Sequence, residues 1–182
     1  MECRYISKYQ TGSNAISHKD CEIDAINTFG GVNMKKSERA YELFKEGYNC
    51  SQAVFGAFAE ELGMDFETAV MLSSSFGGGM GRMREVCGAV SGMFMAAGIK
   101  YGYSDPKDNQ AKKEHYRLIQ ELAEKFRERN HYIVCRQLLG LDGQDSSYVP
   151  SERTQAYYKK RPCAELVRDA AEILEEYMEE HK

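Results

Sequence analysis

Helical periodicity constrains this chain more than any other feature, because it runs without a break from Ser37 to the C-terminus. Apolar residues recur there at intervals of three and four, and no segment alternates apolar and polar residues as a half-buried strand would. Residues suited to helix ends divide the pattern, with Asn49 and Asp65 at N-termini and Gly140 at a C-terminus. The sequence therefore predicts an all-α fold, a compact bundle of about six to seven helices with no sheet.

The pattern and its breaks also predict where each helix lies. In chain order, the predicted helices are 37–46, 50–62, 66–74, 84–101, 108–129, 131–139 and 162–180. The polar, tyrosine-containing stretch 141–160 is predicted to be a loop. Residues 1–33 are polar and weakly periodic, so we interpret them as a dispensable N-terminal extension and 34–182 as the functional domain.

Composition and charge exclude several classes of protein. The formal net charge is −4 and both signs are interspersed along the chain, which argues against a nucleic-acid-binding surface. The longest charge-free stretches, 68–81 and 86–99, are shorter than the roughly 20 residues of a spanning helix, so we expect no membrane insertion. The first residues lack a basic segment followed by an apolar run, which leaves a cytoplasmic location as the expectation.

Six cysteines are the candidate chemistry-bearing residues, and no two of them form a CxxC pair. Zinc-ribbon and thioredoxin-like spacings are therefore excluded. In a reducing cytoplasm a permanent disulfide framework is not expected. Buried thiols, metal ligands and reversible redox pairs remain open for Cys3, Cys21, Cys50, Cys87, Cys135 and Cys163.

Four of these cysteines fall on apolar faces of predicted helices. Cys50, Cys135 and Cys163 are in phase with apolar neighbours, and Cys87 lies on a helix that is apolar nearly all round. Cys50, Cys87 and Cys163 also fall in or near a first helical turn, where backbone N–H groups favour a thiolate. Taken singly, each is equally well explained as an inert core thiol. Each of the following arginines lies within three residues of one of these four cysteines: Arg84, Arg136 and Arg161.

The fourth predicted helix carries small residues at Gly88, Gly92 and Ala96, which form a flat strip. Such a strip allows another helix to approach closely, and we expect that contact within the chain or across a homodimer. The preceding glycine-rich stretch, 77–81, does not fit a phosphate-binding GxGxxG loop and follows a predicted helix rather than a strand. We interpret it as a flexible turn that brings Cys87 toward the other cysteines.

Four separated segments carry a further signal. They are Gly47-Tyr48-Asn49-Cys50-Ser51-Gln52-Ala53, Cys87-Gly88-Ala89-Val90-Ser91-Gly92, Cys135-Arg136-Gln137-Leu138-Leu139-Gly140, and Cys163 followed by Val167-Arg168-Asp169-Ala170-Ala171. In order and content they resemble the C_GCAxxG_C_C family of redox-active proteins, over the chain from Met34 onward. The family name spells Gly-Cys where this chain has Cys87-Gly88.

The resemblance implies a small cysteine-dependent redox protein, an oxidoreductase if it is an enzyme, and often one encoded near transporter genes. Its signature cysteines correspond to Cys50, Cys87, Cys135 and Cys163, which we expect to form one centre without Cys3 and Cys21. The resemblance also implies an unidentified redox partner, for which a transporter-associated protein is one candidate.

Several functions remain open for this centre. Its four thiolates could ligate an iron–sulfur cluster, form reversible disulfides, or hold zinc in a non-redox helical adaptor. A helical partner of a transporter with inert thiols is a further alternative. We favour the cluster over the disulfide, since buried sulfurs suit ligation better than exchange, and both over zinc.

Overall fold

The computed structural model describes residues 34–142 and 147–182, and within this part the chain is α-helical with no sheet. Residues Met34–Lys182 form one compact unit. The proposed extension 1–33, with Cys3 and Cys21, lies outside the described residues, so its dispensability stays a prediction. None of the described helices is both long and apolar enough to cross a membrane.

Eight α-helices and one 3-10 turn make up the described part of the chain. They are α1 (Lys36–Glu46), α2 (Cys50–Phe58), α3 (Phe66–Ser73), the 3-10 turn Ser74–Phe76, α4 (Gly88–Tyr101), α5 (Asn109–Asn130), α6 (Cys135–Leu138), α7 (Gln155–Lys160) and α8 (Cys163–Glu180). The predicted all-α class is confirmed, and the helix count slightly exceeds the expected six to seven.

Helix α2 lies at the centre of the core, and its start is fixed by a capping box. The Asn49 side chain accepts hydrogen bonds from the Ser51 and Gln52 amides, and the Gln52 side chain accepts one from the Asn49 amide, each at 3.0 Å. This reciprocal cap satisfies N–H groups that the helix leaves without internal partners. Cys50 is thereby held as the first residue of α2.

Around α2 pack α1, α3, α4 and α8, while α5 packs on α4 and α8. The contact between α2 and α4 is close at two glycines. A Cβ atom built at Gly92 would lie 2.7 Å from the Ser51 carbonyl oxygen, and one at Gly88 would lie 3.1 Å from the Cys50 Cβ. The close helix contact predicted for the small-residue strip is therefore confirmed, and it is formed within the chain.

The predicted start of the fourth helix at residue 84 is wrong, because α4 begins at Gly88. Arg84 has a φ of +62°, which breaks a right-handed helix. The residues after it pair with a distant segment, where the Cys87 amide donates to the Ile133 carbonyl at 2.8 Å. This antiparallel pairing includes one isolated bridge, between Val86 and Val134, and draws the backbone away from helical geometry.

Two further predicted boundaries are corrected by the structure. Helix α5 ends at Asn130, and His131, with a φ of +69°, separates it from α6, so 131–139 is not one helix. The predicted loop 141–160 contains α7, whose first turn is capped by Thr154. The Thr154 hydroxyl accepts a hydrogen bond from the Tyr157 amide at 3.2 Å.

Candidate functional site

The four predicted site cysteines line a single cavity of about 290 Å³. Cys87, Cys135 and Cys163 are buried, whereas Cys50 keeps partial exposure, and all four are reduced thiols. Residues far apart in sequence meet there, because α2, α4, α6 and α8 each deliver one cysteine to the wall. The structure thus brings together the four residues that the sequence singled out.

Each of the four cysteines lies at the start of a helix. Cys50, Cys135 and Cys163 are the first residues of α2, α6 and α8, and Cys87 is the N-cap residue of α4. Placement near a first turn was predicted for all except Cys135, which sequence periodicity placed in mid-helix. Because helix N-termini carry exposed N–H groups and a positive dipole end, they lower the cost of negative charge on sulfur.

Glycines allow the cysteine-bearing segments to approach one another. A Cβ atom at Gly79 would lie 2.7 Å from the Cys135 Cβ, and one at Gly77 would lie 2.5 Å from the Asn49 Cγ. Positive φ angles run through five consecutive residues of this turn: Gly78, Gly79, Met80, Gly81 and Arg82. The glycine-rich turn therefore forms part of the cavity wall with its backbone in the left-handed conformation. Residues other than glycine adopt this conformation only at a cost of about 1–2 kcal/mol each.

Cys50 and Cys163 form a hydrogen-bonded pair through their side chains. This bond, together with the positive charges of Arg161, Arg153 and Arg84, lowers the pKa of Cys163 from 9.0 to about 7, although burial opposes the change. The same bond and burial raise the pKa of Cys50 well above 9.0. The two thiols therefore ionise as a pair, and the three arginines favour negative charge on Cys163.

The other two cysteines are held as protonated thiols. Burial raises the pKa of Cys87 to about 12, and the backbone N–H groups of Ala89 and Val90 offset this only in part. Burial also raises the pKa of Cys135, against a hydrogen bond and a positive charge from Arg84. At neutral pH the site thus contains one readily formed thiolate among four sulfurs.

Four arginines line the cavity beside the cysteines: Arg82, Arg84, Arg153 and Arg161. Arg153 is anchored to the end of α1, where its Nη1 and Nη2 donate to the carbonyls of Phe44 and Tyr48 at 2.7 and 2.9 Å. The Arg161 guanidinium lies 5.0 Å from the centre of the Tyr157 ring. Arg136, also noted from the sequence, instead pairs with Glu85 at 3.0 Å and does not line the cavity.

Sequence reasoning missed Arg153 and Tyr157, because both fall in the stretch predicted to be a loop. Tyr157 lies close to the cysteine pair, and burial and the nearby Cys163 and Cys50 raise its pKa. Two features of the sequence could have predicted helix α7 in this stretch. Thr154 is a good N-cap residue, and Lys159 and Lys160 are suited to the C-terminal turn of a helix.

The family model described as "Putative redox-active protein (C_GCAxxG_C_C)" matches residues 48–177. The chain belongs to the C_GCAxxG_C_C family. No curated protein and no solved structure gives a significant match. The resemblance expected from the four segments is confirmed, and the matched range includes all four cavity cysteines.

Redox activity is what the family description states. The geometry adds that, within residues 34–142 and 147–182, no three His, Cys, Asp or Glu side chains are close enough to hold a metal ion. The four cysteines thus share a cavity in which the described residues form no single-ion metal site. Among them, Cys50 and Cys163 each have a side-chain hydrogen bond with the other as the largest influence on their pKa values.

Proposed function

We propose that the protein is a dithiol–disulfide redox protein whose reacting pair is Cys50 and Cys163. The observation that carries this proposal is that both cysteines line one cavity, where each shifts the pKa of the other in opposite directions. Thiol–disulfide exchange needs a thiolate and a second sulfur within reach of it. Cys163 supplies the thiolate beside three arginines, and Cys50 supplies the second sulfur at the more exposed edge of the cavity.

The reaction proceeds in two balanced steps with a disulfide substrate. The Cys163 thiolate attacks one substrate sulfur, the substrate S–S bond breaks, and one half leaves as a thiolate. Cys50 then gives up its proton to that thiolate and attacks the Cys163 sulfur, which releases the second half. Two electrons have passed to the substrate, which leaves as one thiol and one thiolate, and a Cys50–Cys163 disulfide remains. The released thiolate takes a proton from water.

Return to the dithiol requires a thiol reductant, which a reducing cytoplasm supplies. We therefore place the protein in the cytoplasm, with such a thiol-containing reductant as its redox partner. Cys87 and Cys135 do not supply the attacking thiolate, since their raised pKa values keep them protonated and poorly nucleophilic at neutral pH.

An iron–sulfur cluster, favoured from sequence, is the second candidate. The observation that favours it is the shared cavity, in which four cysteines and four arginines surround one space. A cluster with thiolate ligands is anionic, and arginines and helix N-termini would stabilise that charge. The described side chains form no group that could hold a single ion such as zinc. A cluster does not require such a group, since each thiolate binds a different iron.

One experiment separates these candidates. Protein purified without oxygen is analysed for iron, sulfide and zinc, then titrated with an oxidant, and its disulfides are mapped by mass spectrometry. We expect no stoichiometric metal, loss of two thiols per chain, and a Cys50–Cys163 linkage. Stoichiometric iron with sulfide, stoichiometric zinc, or a different cysteine pair would overturn the proposal.

A further inference from the structure

We propose that the substrate of the Cys50–Cys163 dithiol is a small disulfide that carries carboxylate groups, which Arg153 and Arg161 bind. This inference rests on the proposed function and names the substrate class for the same site.

The cavity wall has a one-sided charge. Four arginines line it, and within the described residues no aspartate, glutamate or histidine does. By contrast with Arg153 and Arg161, Arg129 is paired with two carboxylates, those of Glu172 and Glu176, at 2.7 and 2.8 Å. A concave site lined by one sign of charge attracts ligands of the opposite sign and raises their rate of encounter.

Arg153 and Arg161 are held in place by neutral groups. Arg153 donates to two backbone carbonyls and lies 4.4 Å from the centre of the Phe44 ring, and Arg161 stacks on Tyr157. Among the described residues, no carboxylate lies within ion-pairing distance of either guanidinium. Their positions are therefore fixed while their charges remain available to a ligand. A guanidinium binds a carboxylate through two parallel hydrogen bonds, which favours this anion.

The N-termini of α2, α4 and α8 meet the same cavity, since their first residues or cap residues line it. Their dipoles add positive potential to that of the arginines. The positive wall thus surrounds the sulfur pair, so a bound anion would bring its disulfide to Cys163.

The size of the cavity favours a small molecule over a protein partner. Its volume of about 290 Å³ is near the lower end of the range for small-molecule sites. Leu138, Leu139 and Leu166 contribute apolar wall, against which a short carbon chain between carboxylate and sulfur can pack. These features describe a low-molecular-weight disulfide with carboxylate ends.

Three symmetrical disulfides of similar length test this inference on the full chain. They are dithiodipropionate, which is anionic, bis(hydroxyethyl) disulfide, which is neutral, and cystamine, which is cationic. The rate of Cys50–Cys163 disulfide formation is measured with each at low ionic strength and about pH 8. Each rate is divided by that of the same disulfide with mercaptoethanol, which removes differences in intrinsic reactivity.

We expect the normalised rate for the anion to exceed that for the neutral disulfide at least about tenfold, and the cation to be slowest. Arg153→Gln and Arg161→Gln should each reduce this preference. Arg127→Gln is the matched control, because Arg127 is an exposed arginine paired with Glu124 on α5. If an arginine substitution only reduced the fraction of Cys163 present as thiolate, the rates with all three disulfides would fall by the same factor. If it removed a contact with the substrate carboxylate, only the rate with dithiodipropionate would fall.

Two kinds of failure are distinguishable. Equal normalised rates, or a preference that survives in both Arg153→Gln and Arg161→Gln, would overturn the anionic substrate and leave the dithiol function standing. If none of the three disulfides produced a Cys50–Cys163 linkage, the proposed function itself would fall.

Discussion

Four cysteines of identical intrinsic chemistry acquire different acidities from their surroundings. Cys163 is the one whose pKa is lowered, because it accepts a hydrogen bond from Cys50 and lies near three arginines. Cys87, with two backbone N–H groups as its main favourable contacts, has its pKa raised to about 12 by burial. The difference between them assigns the nucleophile, since only the thiolate attacks a disulfide.

Replacing each member of the pair should separate the two chemical steps. Cys50→Ser should keep the fast attack of Cys163 on bis(hydroxyethyl) disulfide but stop at a mixed disulfide, which mass spectrometry detects as the addition of one substrate half. Cys163→Ser should lose the fast step at neutral pH, because the lowered pKa belongs to Cys163. Cys3→Ser and Cys21→Ser serve as controls and should leave both steps intact. Fast reaction in Cys163→Ser would contradict the assignment.

The rate of the first step should follow the ionisation of Cys163. Because the pKa of this thiol is lowered to about 7, the thiolate is present above that pH and is lost as the pH falls through it. The rate with the neutral disulfide should therefore rise with a midpoint near pH 7. Arg161→Gln should move the midpoint upward, since one stabilising charge is removed, and Arg127→Gln should not. A midpoint near the ordinary thiol value of 9.0 would rule out this account.

Burial of Cys87 should make the folded protein sensitive to high pH. Its pKa is raised to about 12, so the folded state keeps a proton that the unfolded chain releases above about 9. This contribution to the free energy of unfolding is fully present below pH 9 and is lost as the pH rises toward 12, at about 1.4 kcal/mol per pH unit. Urea unfolding under reducing conditions should show that the free energy of unfolding falls more steeply with rising pH in the natural chain than in Cys87→Ala. If the two proteins lost stability in parallel, the raised pKa of Cys87 would be excluded as a cause.

At the scale of elements, the contact between α2 and α4 positions the cysteines. Gly88 and Gly92 let the α4 backbone reach the first turns of α2, which places the N-cap residue Cys87 in the same cavity wall as Cys50. Glycine inside a helix costs about 1 kcal/mol relative to alanine. That cost is offset here by close packing, which a larger side chain would prevent.

Two alanine substitutions on α4 should have opposite effects on stability. Gly92→Ala places a Cβ atom 2.7 Å from the Ser51 carbonyl oxygen, so we expect the free energy of unfolding to fall by about 1–3 kcal/mol. Gly98→Ala is the matched control in the same helix, because a Cβ atom there meets nothing within 4 Å. It should raise stability by about 0.4–1 kcal/mol. Chemical denaturation measures both, and equal effects would show that α2 and α4 are not tightly packed.

The elements that could be predicted from sequence are those whose signals are local. The predicted helices 37–46, 66–74 and 162–180 each agree with the structure within one residue at either end, because caps and periodicity lie within the helix itself. The segment after Arg84 was mispredicted because its backbone hydrogen bonds run to residues 133–136, far along the chain. Periodicity contains no information about such a partner.

In the candidate site, too, features set by local sequence could be predicted and features set by distant contacts could not. Its four cysteines were found because their sequence contexts resemble one family, but the pairing of Cys50 with Cys163 depends on where α8 packs and could not be deduced from spacing. Arg153 was missed for a similar reason. It is fixed by hydrogen bonds to carbonyls 109 and 105 residues earlier, in a stretch that looks like a loop.

At the scale of the whole molecule, the compact unit begins before the range that defines the family. The family model starts at residue 48, yet α1 lies upstream and packs on α2 and α8. Leu43 and Phe44 of α1 are completely buried, and the Lys36 amide donates to the Glu175 side chain of α8 at 2.9 Å. Helix α1 also supplies the Phe44 carbonyl that anchors Arg153 in the cavity wall. The first helix therefore supports both the core and the site.

Two shortened chains should separate this unit from residues 1–33. A chain that starts at Met34 keeps α1 and should unfold cooperatively, with the same urea midpoint as the full chain and with oxidation of Cys50 and Cys163 unchanged. A chain that starts at Tyr48 is the matched comparison. It loses Leu43 and Phe44 from the core, and large core side chains contribute about 2–5 kcal/mol each against a total stability of about 5–15 kcal/mol. We expect this shorter chain to lose cooperative unfolding and Arg153 to lose its anchor. Loss of cooperativity in the chain from Met34 would instead show that residues 1–33 belong to the folded unit.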